Sequence, residues 1–181
     1  KQNLIDGLSK KEFILSKFYT LVFFSFCATV LIGVATFLIG MYYSSYTEAS
    51  IVFREVEFLL AYFVKLLGFF SLCLFSGMLL KRSAFALGFL VITWILELIV
   101  YGLMEWKIDG DLPGKIFNFF PIQSMYKLID QPIQRIIMTK FPEKGELAYD
   151  YAVHWYEIAI VLGWTALFIF LSYRLLKKRD L

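Results

Sequence analysis

Long uncharged runs separated by short charged ones dominate the order of apolar and polar positions. Thirty residues without a formal charge lie between Lys17 and Glu48. A hydrocarbon core of ~30 Å needs ~20 helical residues at 1.5 Å each, so this run predicts a transmembrane helix over 18–43. A second is expected over 51–80, its apolar part interrupted only by Lys65, and a third over 83–104, interrupted only by Glu97. The last apolar run, bounded by Glu157 and Arg174, has 16 uncharged residues. That is short for a span, so the fourth helix is expected over 151–173, with His154 and Glu157 at the interface.

Outside these runs the periodicity changes. Between 105 and 150, the residues Ile122, Met125, Tyr126, Ile129, Ile133, Ile136 and Ile137 recur at three- and four-residue steps, which is one face of an amphipathic helix. Pro121 suits a first turn and Pro132 breaks the run, so two short helices are predicted, over 122–130 and 133–140. Their stripe, with Phe117, Phe119 and Phe120 before it, would lie on the outer leaflet or dip into it, as a cap over the bundle. At the other end of the chain, Ser9-Lys10-Lys11-Glu12 precedes Phe13-Ile14-Leu15 and fits a capping box. A helix is therefore expected to start near Lys10 and run into the first span, with Gly7 closing a short turn or helix before it. This basic segment reads as an interfacial anchor on anionic lipid or as a docking surface for a partner.

Composition agrees with the spans. Hydrophobic residues make up 60% of the 181 and include 20 Phe, against roughly 45–50% in an average soluble domain. Cys27 and Cys73 both lie in apolar runs and read as small buried hydrophobes, not a disulfide. Charge supplies orientation. Segments 1–17, 81–82 and 174–181 hold ten of the 18 basic residues and three of the 15 acidic ones, a net +7 against −4 elsewhere. With Lys and Arg retained inside, both ends face the cytoplasm. The fold class is thus an all-α membrane protein, a single transmembrane domain over 1–181 with four spans, an amphipathic N-terminal helix region over 1–17 and an extracellular helical loop over 105–150. The expected setting is the cell membrane, a bacterial inner membrane in particular.

The hairpin formed by spans two and three has a further consequence. Lys65 lies 16 residues before Lys81 and Glu97 lies 15 after Arg82, so both reach about 22–24 Å from the shared turn. An unpaired charge there costs ~2.5–3.5 kcal/mol or more. An intramembrane Lys65–Glu97 ion pair, or at least a shared polar pocket, is predicted. Arg54 and Glu57 are placed to pair on the helix surface.

Several chemistries find no support. There is no GxxxxGK[ST] phosphate loop, and the single histidine, His154, excludes a His-rich metal site or a bis-His haem. No nucleophile–base set can be assembled, so no catalytic, cofactor or metal site is assigned. The basic residues are scattered along the membrane boundaries, without the patch that nucleic acid needs.

The stretch Gly7-Leu8-Ser9-Lys10-Lys11-Glu12-Phe13-Ile14-Leu15-Ser16-Lys17 resembles the segment before the third transmembrane helix of ABC-2 type transporter permeases. Gly7 stands where Pro is usual and Ser16 where Gly is usual. The tight turn at Lys81-Arg82, a helical outer segment before the last span and a basic tail continue the resemblance. It implies that residues 1–6 correspond to a coupling helix and that Asn3, Leu4, Ile5, Asp6, Gly7, Leu8, Ser9 and Lys10 dock an ATP-binding cassette ATPase subunit. It also implies a homodimer or a pairing with a similar permease chain, an extracellular gate in the outer helices, and four helices matching the last four of six. ATP hydrolysis is then expected on the partner chain. A non-transport membrane scaffold or assembly factor, held by the same helices and by membrane lipid, is the alternative.

Overall fold

The computed structural model of the chain describes residues 9–43, 56–80, 82–108, 110, 112–129 and 152–178. It contains α1 (Lys10–Tyr43), α2 (Glu57–Leu80), α3 (Ser83–Lys107), α4 (Leu112–Phe117), α5 (Pro121–Lys127) and α6 (Trp155–Lys178). Four of these, α1, α2, α3 and α6, are long and apolar enough to cross a membrane. The Asn3–Leu8 part of the expected docking segment, Arg54, and the second amphipathic stretch over 133–140 lie outside the described residues.

α1 begins on its capping box. The Ser9 amide donates to Glu12 Oε2 at 2.8 Å, and the Glu12 amide donates to Ser9 Oγ at 3.3 Å. The Ser9 amide first, and then the Ser9 hydroxyl, hold the Glu12 carboxyl below the ordinary carboxylate range. From there α1 runs 34 residues without a break, about 51 Å at 1.5 Å per residue. That exceeds the ~30 Å core, so the capped first turns, with Lys10, Lys11 and Glu12, project beyond it.

Packing centres on α2. Its buried face, Ala61, Val64, Leu67, Gly68, Ser71, Leu72 and Ser76, meets the face of α6 built by Ile158, Val161, Thr165, Phe168 and Ser172. Lipid offers no hydrophobic drive for helix association, so close approach through small residues carries it. Gly68 shows how close: a Cβ there would stand 2.8 Å from Val161 Cγ1 and 3.1 Å from Met125 Cε. The buried hydroxyls do not cross between helices. Ser71, Ser76, Thr165 and Ser172 each donate to the carbonyl four residues back, at 2.7–2.9 Å, and so present their carbon side to the seam.

α1 and α3 also flank α2 but bury little. Only Ile14 and Ser25 are buried on α1, and only Glu97 on α3. Phe23, Leu31 and Leu38 of α1 and Leu87, Ile92 and Leu96 of α3 stay exposed. A helix that is apolar all round has lipid or another chain as its stable neighbour. For that reason Cys27, expected to be buried, is exposed on α1, and Cys73 of α2 is only half-buried.

The α2–α3 turn fixes two helix ends together, and the Lys10 ammonium donates to the Lys177 carbonyl at 3.5 Å, joining the start of α1 to the end of α6. One end of the bundle thus gathers Lys10, Lys11, Lys17, Arg82, Arg174, Lys177 and Lys178; we call it the basic end. At the opposite, cap end, α3 continues to Lys107, beyond the expected residue 104. α6 starts at Trp155, not 151, where the His154 carbonyl accepts from the amides of Glu157 and Ile158.

A candidate functional site: a re-entrant cap clamped by three spans

At the cap end the chain leaves α3, reverses at Gly110, whose φ of +101° is ordinary only for glycine, and forms the six-residue α4. Pro113 and Phe117 turn inward and are buried. The Phe117 ring stacks on Tyr101 at 4.4 Å and meets Phe120 edge-on at 5.8 Å. These aromatic contacts bend 118–120 back toward the bundle, and α5 follows with Pro121 in its first turn.

α5 does not rest on the membrane surface. It touches Glu97, ten residues inward from the end of α3, and Gly68, 11 residues inward from the start of α2. The loop just before it touches Trp164, nine residues inward from the start of α6. At 1.5 Å per residue these contacts lie about 14–17 Å inward from the cap-end helix termini. Three independent helices therefore give one answer: the α4–α5 segment turns back into the bundle among α2, α3 and α6.

Backbone inserted among apolar helices has few bonding partners other than protein. Pro121 has no amide N–H to satisfy. The amides of Ile122 and Gln123 donate to Glu97 Oε1 and Oε2 at 3.0 and 3.1 Å. The Ser124 amide donates to the Phe120 carbonyl at 2.8 Å. The first turn of α5 is thereby fully accounted for, with one carboxylate from α3 taking two of its orphan donors. The Phe119 carbonyl, just before α5, accepts from the Trp164 indole at 2.8 Å. Near the other end, the Tyr126 carbonyl accepts from the Lys65 ammonium at 3.4 Å, and that ammonium also lies 5.8 Å from the Tyr126 ring centroid. One side chain from each of α2, α3 and α6 thus clamps the segment.

Lys65 and Glu97 were expected to form an ion pair or at least to share a polar pocket. They converge on one polar element, but each through its own contact: the anion at the amino end of α5, the cation near its carboxyl end. Coulomb attraction is not the only way to offset a charge in lipid, and an exposed helix terminus supplies bonds of the right sign at each end. Ser9 and Lys10, the described part of the expected docking segment, sit at the basic end, far from this site. The amphipathic stripe is present in part, with Met125 buried and Ile122 and Ile129 packed on the core, whereas Tyr126 is exposed. Trp164 joins the site without standing out in the sequence. Its signal was an indole N–H nine residues into a span, which needs an acceptor.

Above the clamp, two adjoining hollows of about 230 and 400 Å³, the smaller mainly apolar and the larger mainly polar, share Lys115, Asn118 and Lys127. One is completed by Ser124, Tyr156 and Glu157, the other by Tyr101 and Glu105. Both open at the cap end, so the apolar bundle ends there in a mixed-charge, wettable mouth. Among the described residues no three His, Cys, Asp or Glu side chains gather as a metal site.

A protein-family model described as "ABC-2 family transporter protein" matches residues 4–181. No curated protein and no solved structure matches the chain.

Proposed function

The chain belongs to the ABC-2 transporter family, and we propose that it is the membrane-spanning permease subunit of an exporter driven by a separate ATP-binding subunit docked at the basic end. The observation that carries this reading is the family match over 4–181 together with the build of α1. Residues 1–8 precede a capped, unbroken helix that passes from the basic end across the membrane and is only lightly packed. A push on the docking segment would tilt α1 as a rod, because few buried contacts oppose it.

The basic end faces the cytoplasm in this reading, in accord with the Lys and Arg bias, and the clamped α4–α5 segment faces outward as the gate. Two copies, or this chain and a similar one, pair through apolar helix faces that a single copy leaves exposed. The setting is a cell membrane. The chain itself performs no chemistry; its partner hydrolyses ATP.

Co-purification tests the reading. The full-length protein should retain an ATP-binding subunit, and changing Leu4, Ile5 and Leu8 together to Asp should remove it while the helical content stays unchanged. A chain that retains no ATPase, yet still supports assembly of other membrane proteins, would be the scaffold alternative instead.

A further inference from the structure

Between α1 and α6, at the basic end, lies an apolar cleft of about 610 Å³. Ile14 and Phe18 form one wall, Ile169 and Phe170 the other, and Leu67 of α2 contributes to the floor. Its one buried hydroxyl residue, Thr165, directs Oγ1 to the Val161 carbonyl at 2.9 Å, so it presents carbon. Along α6 the cleft extends from Tyr173 inward to Leu162, about 16 Å at 1.5 Å per residue. That is half of a ~30 Å core, the depth of a single leaflet.

The rim has the opposite character. Lys11 and Tyr173 line it, and the Arg174 guanidinium lies 5.0 Å from the ring centroid of Phe170, itself a wall residue. Lys177 and Lys178 follow in the last turn of α6. Glu12, the described carboxylate nearest this rim, is engaged by Ser9. A carbon-lined slot one leaflet deep, crowned by cations, is complementary to a single kind of molecule: an acyl chain with an anionic headgroup.

We propose that this cleft is a binding site for one anionic phospholipid of the leaflet at the basic end, with an acyl chain between α1 and α6 and the phosphate at Lys11 and Arg174. The bound lipid would fill the gap between the lightly packed α1 and the core helix α6, and its occupancy would set how freely α1 tilts. The site stands on α1–α6 geometry alone and holds whether or not the chain exports anything.

Native mass spectrometry of the full-length protein, titrated separately with phosphatidylglycerol, phosphatidylcholine and inorganic phosphate, tests it. One phosphatidylglycerol should bind per chain in preference to phosphatidylcholine, and phosphate alone should not bind. Changing Lys11→Gln together with Arg174→Gln, both exposed positions that folding tolerates, should weaken phosphatidylglycerol about tenfold or more, from the attraction of surface cations to anionic lipid, and leave phosphatidylcholine unchanged. Ala166→Trp, on the cleft lining, should abolish both while the unfolding temperature holds. Equal binding of the two lipids, no response to the double neutralisation, or tight binding of phosphate alone would each overturn the proposal. So would a cleft that takes no lipid because another part of the full-length chain occupies it.

Discussion

Glu97 gives one oxygen to each of two main-chain amides, so substitutions there separate charge from hydrogen bonding. In Glu97→Gln the carboxamide oxygen still accepts one amide, but its NH₂ faces the other, donor against donor. Leaving a buried donor unmet costs about 1–3 kcal/mol. Glu97→Leu leaves both unmet and should cost more, read as a larger fall in the thermal unfolding midpoint in detergent. A leucine variant as stable as wild type would show that α5 is not held this way. The Lys65→Glu, Glu97→Lys double reversal discriminates further. Direct ion-pair partners would recover what the single changes lose, whereas the clamp predicts no recovery, because a cation would then face amides and an anion a carbonyl. At Gly68 the issue is space. Gly68→Ala places a methyl 2.8 Å from Val161 Cγ1, an overpacking cost of about 1–3 kcal/mol. Adding Val161→Ala removes that atom, so the double variant should lose less than the sum of the two singles. Strict additivity of unfolding free energies would mean that the helices do not meet there.

Among the elements, α1 and α5 differ in what supports them. α1 is long, capped and autonomous, and its start was legible because a capping box is a local signal: four consecutive residues, Ser9 to Glu12, contain both bonds. If α1 acts as a rod, inserting two glycines after Lys17 should leave the ATP-binding subunit attached but uncouple its ATPase cycle from export in reconstituted vesicles. Export at the wild-type rate with the hinge in place would dismiss the rod. α5 has seven residues, too few to hold itself together in isolation. Its apolar stripe was visible as periodicity, and Pro121 marked its start. Its end at Lys127, short of the expected residue 130, and its depth were not visible, because both depend on Glu97, Lys65 and Trp164 from three other helices.

At the scale of the whole molecule, the bundle has a basic end and a mixed-charge cap end, and orientation can be measured directly. With Cys27 and Cys73 replaced, a single cysteine at Lys115 should react with an impermeant thiol reagent added outside intact cells. One at Arg82 should react only after the membrane is opened. Labelling at Arg82 from outside would invert the topology and place the proposed docking segment on the wrong side for an ATP-binding subunit. The exposed apolar faces of α1 and α3 are the molecular-scale counterpart of their sparse burial: one copy alone leaves them to lipid or to a second chain.

The sequence by itself determined the four membrane-crossing helices, the turn at 81–82, the capping box and the family resemblance. Each is written in runs of neighbouring residues, where length against bilayer thickness or a four-residue pattern suffices. It also put Lys65 and Glu97 at similar residue counts from the turn at 81–82. Only the tertiary structure decided what those charges touch. The unmet amides and carbonyls of a short re-entrant helix exist only once that helix is inserted among α2, α3 and α6, and no local pattern records which distant side chain will satisfy them.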